Sequence, residues 1–105
     1  MKPEEMKQKL KGIVVVQLFP FTDERELDLE GLRENTKYLV DFSNNGEKDV
    51  VILTNGSTSE FYAMSEEEEE KAIQTVVEAS GNVPVIAGTS RAGTHEAVKM
   101  SQVAE

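Results

Sequence analysis

Three short apolar runs, each followed by a stretch with helical spacing, constrain this chain more than any other feature. GIVVVQLF (Gly12 to Phe19), DVVILTNG (Asp49 to Gly56) and NVPVIAGTS (Asn82 to Ser90) are apolar and largely β-branched at successive positions. That is the pattern of strands covered on both faces. Asp28 to Asn44 sets Leu29, Leu32, Thr36, Leu39, Val40 and Phe42 at mostly helical spacing, with Asp28 as N-cap and Asn44, Asn45 and Gly46 closing the far end. Ser65 to Gly81 repeats the helical signal, with Ser65 and Glu68 as a capping box. Thr94 to Glu105 is a third helix with Ala97, Met100, Val103 and Ala104 on one side. Met6 and Leu10 mark a short leading helix. Equivalent strand positions recur roughly every 35 residues, the spacing of crossover units in a parallel sheet.

Three strands that are apolar on both faces leave two unpaired edges, so such a sheet calls for more strands. A closed (β/α)8 barrel takes about 250 residues, and 105 residues supply about three of its eight units. The expected fold class is α/β: parallel (β/α) units, the first three of a TIM (β/α)8 barrel, truncated. Residues 1–105 then form the N-terminal part of a single barrel domain, 1–11 a leader helix and 12–105 three βα units. A small open three-layer sheet is the alternative.

Charge narrows the partners. Twenty acidic against 11 basic residues give a net charge of -9, which argues against nucleic acid and against an anionic membrane surface. No apolar run approaches the roughly 20 residues of a membrane span. The absence of cysteine excludes disulfides and thiolate metal sites. MKPEEMKQKLKG lacks the apolar core of a signal peptide, so a cytoplasmic setting is expected.

Parallel sheets place their ligands beyond the carboxyl ends of the strands, and Gly56 to Glu60, GSTSE, lies there, after the second run. Glycine lets the backbone approach a ligand. Ser57, Thr58 and Ser59 add hydroxyl and amide donors suited to a carboxylate or phosphate oxygen. The competing reading is a βα turn whose hydroxyls satisfy nearby backbone groups.

The same residues carry a family resemblance. GSTSEFYAMSEEEE is similar to the G-[ST]-T-G-E-x-x-x-L-[ST]-x-E-E stretch of the dihydrodipicolinate synthase and N-acetylneuraminate lyase family, and VPVIAG matches its third-strand segment. Pro20 and Phe21 after the first run, and the acidic loop leading to Asp28, agree as well. The resemblance implies a (β/α)8 barrel, commonly a homo-oligomer (a tetramer), that forms a Schiff base between a lysine and pyruvate or another 2-oxo acid. It implies no cofactor and no metal. On it, Ser57 is the catalytic hydroxyl that binds the keto-acid carboxylate and takes part in proton relay, with Gly56 and Thr58 as substrate-binding neighbours. Glu60 is assigned to anchoring the loop.

Phe19 stands where the family usually has threonine and Ser59 where it usually has glycine; both bear on substrate choice. Ser59 also raises a question of backbone conformation, since non-glycine residues rarely take positive φ. The family's Schiff-base lysine and the tyrosine serving it belong to later strands. Lys48 precedes the second run, at the wrong end, while Lys37, Lys71 and Lys99 fall on helices. The expectation is an enzyme whose first 105 residues alone lack the nucleophile. A small anion-binding module and a half-barrel that must associate stand as alternatives.

Other residues carry less. Glu66 to Glu70 point around a helix and read as a solvated first turn favoured by the helix dipole. His95 has no second ligand at a recognisable spacing and reads as a surface or capping residue. Arg91 either meets an anionic substrate or pairs with one of the many acids. Tyr38 reads as part of its helix's apolar side, and Phe61 and Tyr62 either line the pocket or, as aromatic rings more often do, pack under the hydroxyl loop.

Overall fold

The computed structural model describes residues 1–46 and 48–105. The chain runs through α1 (Pro3–Lys9), β1 (Ile13–Val16), α2 (Leu29–Asn44), β2 (Val50–Thr54), two short 3-10 turns (Ser57–Ser59 and Phe61–Ala63), α3 (Glu66–Ser80), β3 (Val85–Ala87) and α4 (Thr94–Ala104). The three strands form one parallel sheet in the order β1-β2-β3. Ile13 pairs with Val50 and Val16 with Leu53; Ile52 pairs with Val85 and Thr54 with Ala87.

Local sequence accounts for most of the boundaries. Asp28 caps α2 by accepting from the Gly31 amide at 3.0 Å. Ser65 and Glu68 cap α3 reciprocally, Ser65 Oγ accepting from the Glu68 amide at 3.2 Å and Glu68 Oε1 from the Ser65 amide at 3.1 Å. Gly12 enters β1 at φ 92°, where a Cβ would collide with the Asp49 carbonyl. β1 and β3 are much shorter than the apolar runs that announced them. Pairing ends at Val16 and Ala87, after which the Gln17 and Gly88 amides make last bonds to β2, to the Leu53 carbonyl at 3.0 Å and the Thr54 carbonyl at 2.8 Å.

Sequential strand order with right-handed crossovers puts consecutive helices on the same face of a sheet. The core shows this face: Val50 and Ile52, with half-buried Val15 and Val85, pack with Leu32 of α2 and Ala72 and Val76 of α3. Alternation sends Val14, Val16, Leu53 and Ile86 to the other face. There Val14, Val16 and Ile86 are 51%, 45% and 38% exposed. Of the three strands, all apolar on both faces in sequence, β2 is covered on both, whereas β1 and β3 leave this face open. Tyr38 also departs from expectation. It projects from α2, 71% exposed, and lines a surface groove of about 280 Å³ with Val15, Val16, Gln17, Leu18, Asn35 and Leu39 along the free edge of β1. No helix among the described residues is long and apolar enough to cross a membrane.

Candidate functional site

The carboxyl ends of the three strands and the loops that follow them gather the chain's most connected polar groups. β2 ends at Thr54, and Asn55 turns the chain at φ 56°, a left-handed conformation that asparagine tolerates better than most residues. Its side-chain amide donates to the Gly88 carbonyl at 2.9 Å, while the Gly88 amide donates to Thr54 at 2.8 Å. The approach is close enough that a Cβ on Gly88 would strike the Asn55 carbonyl, so glycine there is a packing requirement.

Gly56, Ser57 and Thr58 follow at once. Ser57 and Thr58 are exposed and Gly56 is half-buried. Thr58 Oγ1 donates to the Gln17 carbonyl at 3.2 Å, tying the loop to the end of β1. Ser59 is fully buried and its hydroxyl donates to the Gly56 carbonyl. Of the three hydroxyls, only that of Ser57 stays out of these bonds. Serine in place of glycine at 59 introduces no left-handed backbone: the positive φ values fall at Asn55 and at Glu60, φ 62°. Glu60 is exposed and turns the chain between the two 3-10 turns, so its contribution to the loop comes from its backbone. Phe61 packs half-buried against the core as expected, whereas Tyr62 is 70% exposed, its ring edge-on to Phe61 at 5.7 Å.

Within the glutamate run Glu67 and Glu70 are exposed, Glu66 and Glu68 are half-buried, and one position is fully buried. Glu69 is 0% exposed, because it precedes Ala72, Ile73 and Val76 at helical spacing and so lies on the buried stripe of α3. Arg91, from the loop after β3, meets it: Nη1 lies 2.9 Å from Glu69 Oε1 and also donates to the Met64 carbonyl at 3.3 Å. This decides the role left open for Arg91 in favour of an acidic partner. Burial pushes the Glu69 carboxyl above the usual carboxylate range, with the Arg91 guanidinium pulling in the opposite direction. At the surface, Lys99 beside Glu66, at 2.8 Å, holds that carboxyl below its usual range.

Behind the loop, Gln17 is 4% exposed and Nε2 donates to Thr36 Oγ1 at 3.0 Å, which donates in turn to the Leu32 carbonyl at 2.8 Å. Gln17 Oε1, Thr54 Oγ1, Asn55 Oδ1 and Glu69 Oε2 are buried without a hydrogen-bond partner among the described residues. Gln17, Asn55 and Glu69 were not singled out from sequence. Glu69's place on the apolar stripe and the polar Gln17 inside an apolar run were the signals available.

The remaining candidates do not converge on this end. His95 is exposed in the first turn of α4. Lys48 lies at the amino end of β2, Lys37 is exposed on α2, and Lys71 and Lys99 pair with Glu67 and Glu66 on helix surfaces. Among the described residues no three His, Cys, Asp or Glu side chains come together as a metal site.

A hydroxyl loop held at the carboxyl end of a central parallel strand has close relatives. The profile of the Dihydrodipicolinate synthetase family matches residues 9–105. The chain is 40% identical to the 4-hydroxy-tetrahydrodipicolinate synthase of Methanococcus vannielii over 97 residues, 91% of this chain and 32% of that protein. With the Methanopyrus kandleri enzyme of the same name it shares 35% identity over 99 residues, 92% of this chain and 31% of the relative. Among solved structures, dihydrodipicolinate synthase from Aquifex aeolicus superimposes with a TM-score of 0.78 at 35% identity, covering 90% of this chain and 31% of that one. N-acetylneuraminate lyase from Mycoplasma synoviae gives 0.77 at 27%, covering 92% and 32%. The chain thus spans about a third of the length of these relatives. A match over nearly all of its residues, carried equally by sequence and by the path of the backbone, places the chain in the Dihydrodipicolinate synthetase family.

Proposed function

We propose that this chain is the amino-terminal portion of a Schiff-base-forming aldolase, lyase or synthase that acts on pyruvate or a related 2-oxo acid. Gly56, Ser57 and Thr58 hold the keto-acid carboxylate, and the Ser57 hydroxyl relays a proton. The supporting observation is the exposed Ser57 hydroxyl on a loop whose neighbours are pinned by Thr58 to β1 and by Asn55 to the end of β3. A carboxylate held by short hydroxyl and amide hydrogen bonds is oriented for attack at its neighbouring carbonyl carbon, and orientation of this kind supplies up to roughly 7–11 kcal/mol of a barrier.

The surrounding architecture is a (β/α)8 barrel of which these residues are the first three units. Sequential strand order and the placement of helices on a single face support it, since an open doubly wound sheet would carry helices on both. The amine nucleophile comes from a later strand, the reaction needs no cofactor, and the enzyme works in the cytoplasm as a homo-oligomer. In that barrel, Ser57→Ala lowers turnover more than it lowers stability, because an exposed loop hydroxyl contributes little to the core. Unchanged turnover with every 2-oxo acid tried would remove Ser57 from the mechanism.

A second reading, a non-catalytic anion-binding module, rests on the same exposed Ser57, since holding an anion needs no nucleophile, while the Thr58 hydroxyl, whose proton goes to the Gln17 carbonyl, favours neither reading. The two readings part on borohydride trapping with pyruvate in the complete barrel. A covalent adduct supports the first, and its absence with saturable anion binding supports the second.

A further inference from the structure

The segment Asn55 to Met64 carries every candidate ligand group, and each of its ends is fastened to the loop after β3. At the start, the Asn55 amide grips the Gly88 carbonyl at 2.9 Å; at the finish, Arg91 grips the Met64 carbonyl at 3.3 Å. Arg91 is itself held at 2.9 Å by a carboxylate that has no access to water, Glu69 of α3. A charge-assisted hydrogen bond in such a setting is stronger and more directional than a neutral one. A buried pair of this kind gives little net stability, because desolvation offsets its attraction. What it does supply here is geometry, since one guanidinium fixes the helix, the end of the loop and the neighbouring loop to one another.

We propose that Glu69 and Arg91 are positioning residues, a latch that fixes the Asn55–Met64 segment and with it Ser57 and Thr58. Their importance for ligand binding rests on the function proposed above; their action on the loop does not. The charged and polar groups around the carboxylate are few. Arg91 faces it from the loop after β3 and Asn55 from the end of β2, while Glu66 on its own helix is neutralised in part by Lys99 of α4. Protonating Glu69 removes the charge from the latch while leaving both side chains in place. The fold, which pays desolvation for the buried carboxylate, tolerates that change; the loop loses its fastening.

The test is hydrogen exchange by mass spectrometry on the 105-residue chain without ligand, comparing a peptide over residues 55–64 with one over 49–54. This reads the segment in monomeric and associated forms alike. Glu69→Gln and Arg91→Met are expected to accelerate exchange in 55–64 about tenfold, the loss of one charged hydrogen bond, and to leave 49–54 unchanged. Arg91→Lys, which keeps the charge, should recover part of the protection. In the unaltered chain, protection of 55–64, corrected for intrinsic exchange, should fall on acidification, and Glu69→Gln should abolish that dependence. Equal acceleration in both peptides would reduce the pair to a general support of the fold and overturn the proposal, as would unaltered protection of 55–64 in both variants. Because no ligand is used, the outcome is independent of pyruvate trapping, and either reading can fail without the other.

Discussion

The two faces of the sheet are built from the same kinds of residue, yet the central strand buries both of them and the outer strands do not. Central β2 buries Val51 at 1% and Ile52 at 0%, whereas on the outer strands Val15 and Val85 lie half-buried on the helix side and Val14, Val16 and Ile86 on the other face are 51%, 45% and 38% exposed. Hydrophobicity alone does not say which face a helix will cover. The hand of the crossover does, because each βα unit returns on the same side as the one before it. The helix-covered face holds the core cluster, and the other face of β1 and β3 is exposed apolar surface.

The sharpest way to break that contrast is Leu32→Ala. Leu32 is 0% exposed between sheet and helix, and truncating a buried leucine costs about 2–5 kcal/mol, enough to unfold a marginal domain. A urea melt that moves only slightly would show that the covered face is not the core. Next comes Thr36→Val, which preserves shape but takes from the buried Gln17 amide its acceptor at 3.0 Å. An unsatisfied buried donor costs about 1–3 kcal/mol, so the same melt should shift by an intermediate amount. A null result would mean that Gln17 finds another partner.

Acid stability sharpens the comparison at the upper end of the covered face. Glu69 titrates above its usual range because of burial, opposed by Arg91. A carboxyl whose folded pKa is raised contributes stability that is present below its unfolded pKa and is lost as pH rises through the folded one. Stability should therefore rise on acidification across that window in the unaltered chain, and the rise should be smaller in Glu69→Gln. Identical slopes in paired melts from neutral pH downward would refute the assignment. The smallest effect on stability belongs to the open face: Val16→Thr changes it by no more than about 0.5 kcal/mol, as exposed substitutions do. Its effect appears instead in sedimentation, where reduced association of the 105-residue chain is expected. Association that is indifferent to Val16→Thr and Ile86→Thr together would move the sticky surface elsewhere, to the groove beside Tyr38.

Much of this molecule was legible before its coordinates. The βα alternation, the Asp28 cap and the Ser65–Glu68 capping box follow from spacing and local hydrogen bonding, which a linear chain displays directly. The hydroxyl loop was legible too, since a strand's carboxyl end can be located without knowing what surrounds it. Strand length was not: an apolar run says where a strand can form, and its neighbour decides how far the ladder extends, as Leu18 and Phe19 show by lying beyond the last bond, from the Gln17 amide to Leu53.

The tertiary structure alone decided the environment of individual polar residues. Five successive glutamates look alike in sequence, but the rotation of α3 against the sheet buries Glu69 and leaves Glu67 and Glu70 in water. Arg91 is separated from that carboxylate by 22 positions, and only the packing of the loop after β3 against α3 brings the two within 2.9 Å. Tyr38, two positions from buried Thr36, falls off the buried stripe of α2 and is exposed. Sequence determined which segments are strands and helices and in what order, because those preferences act over a few residues. The partner of a buried charge and the side of the sheet that is covered depend on contacts between distant segments, which exist only once the chain has folded.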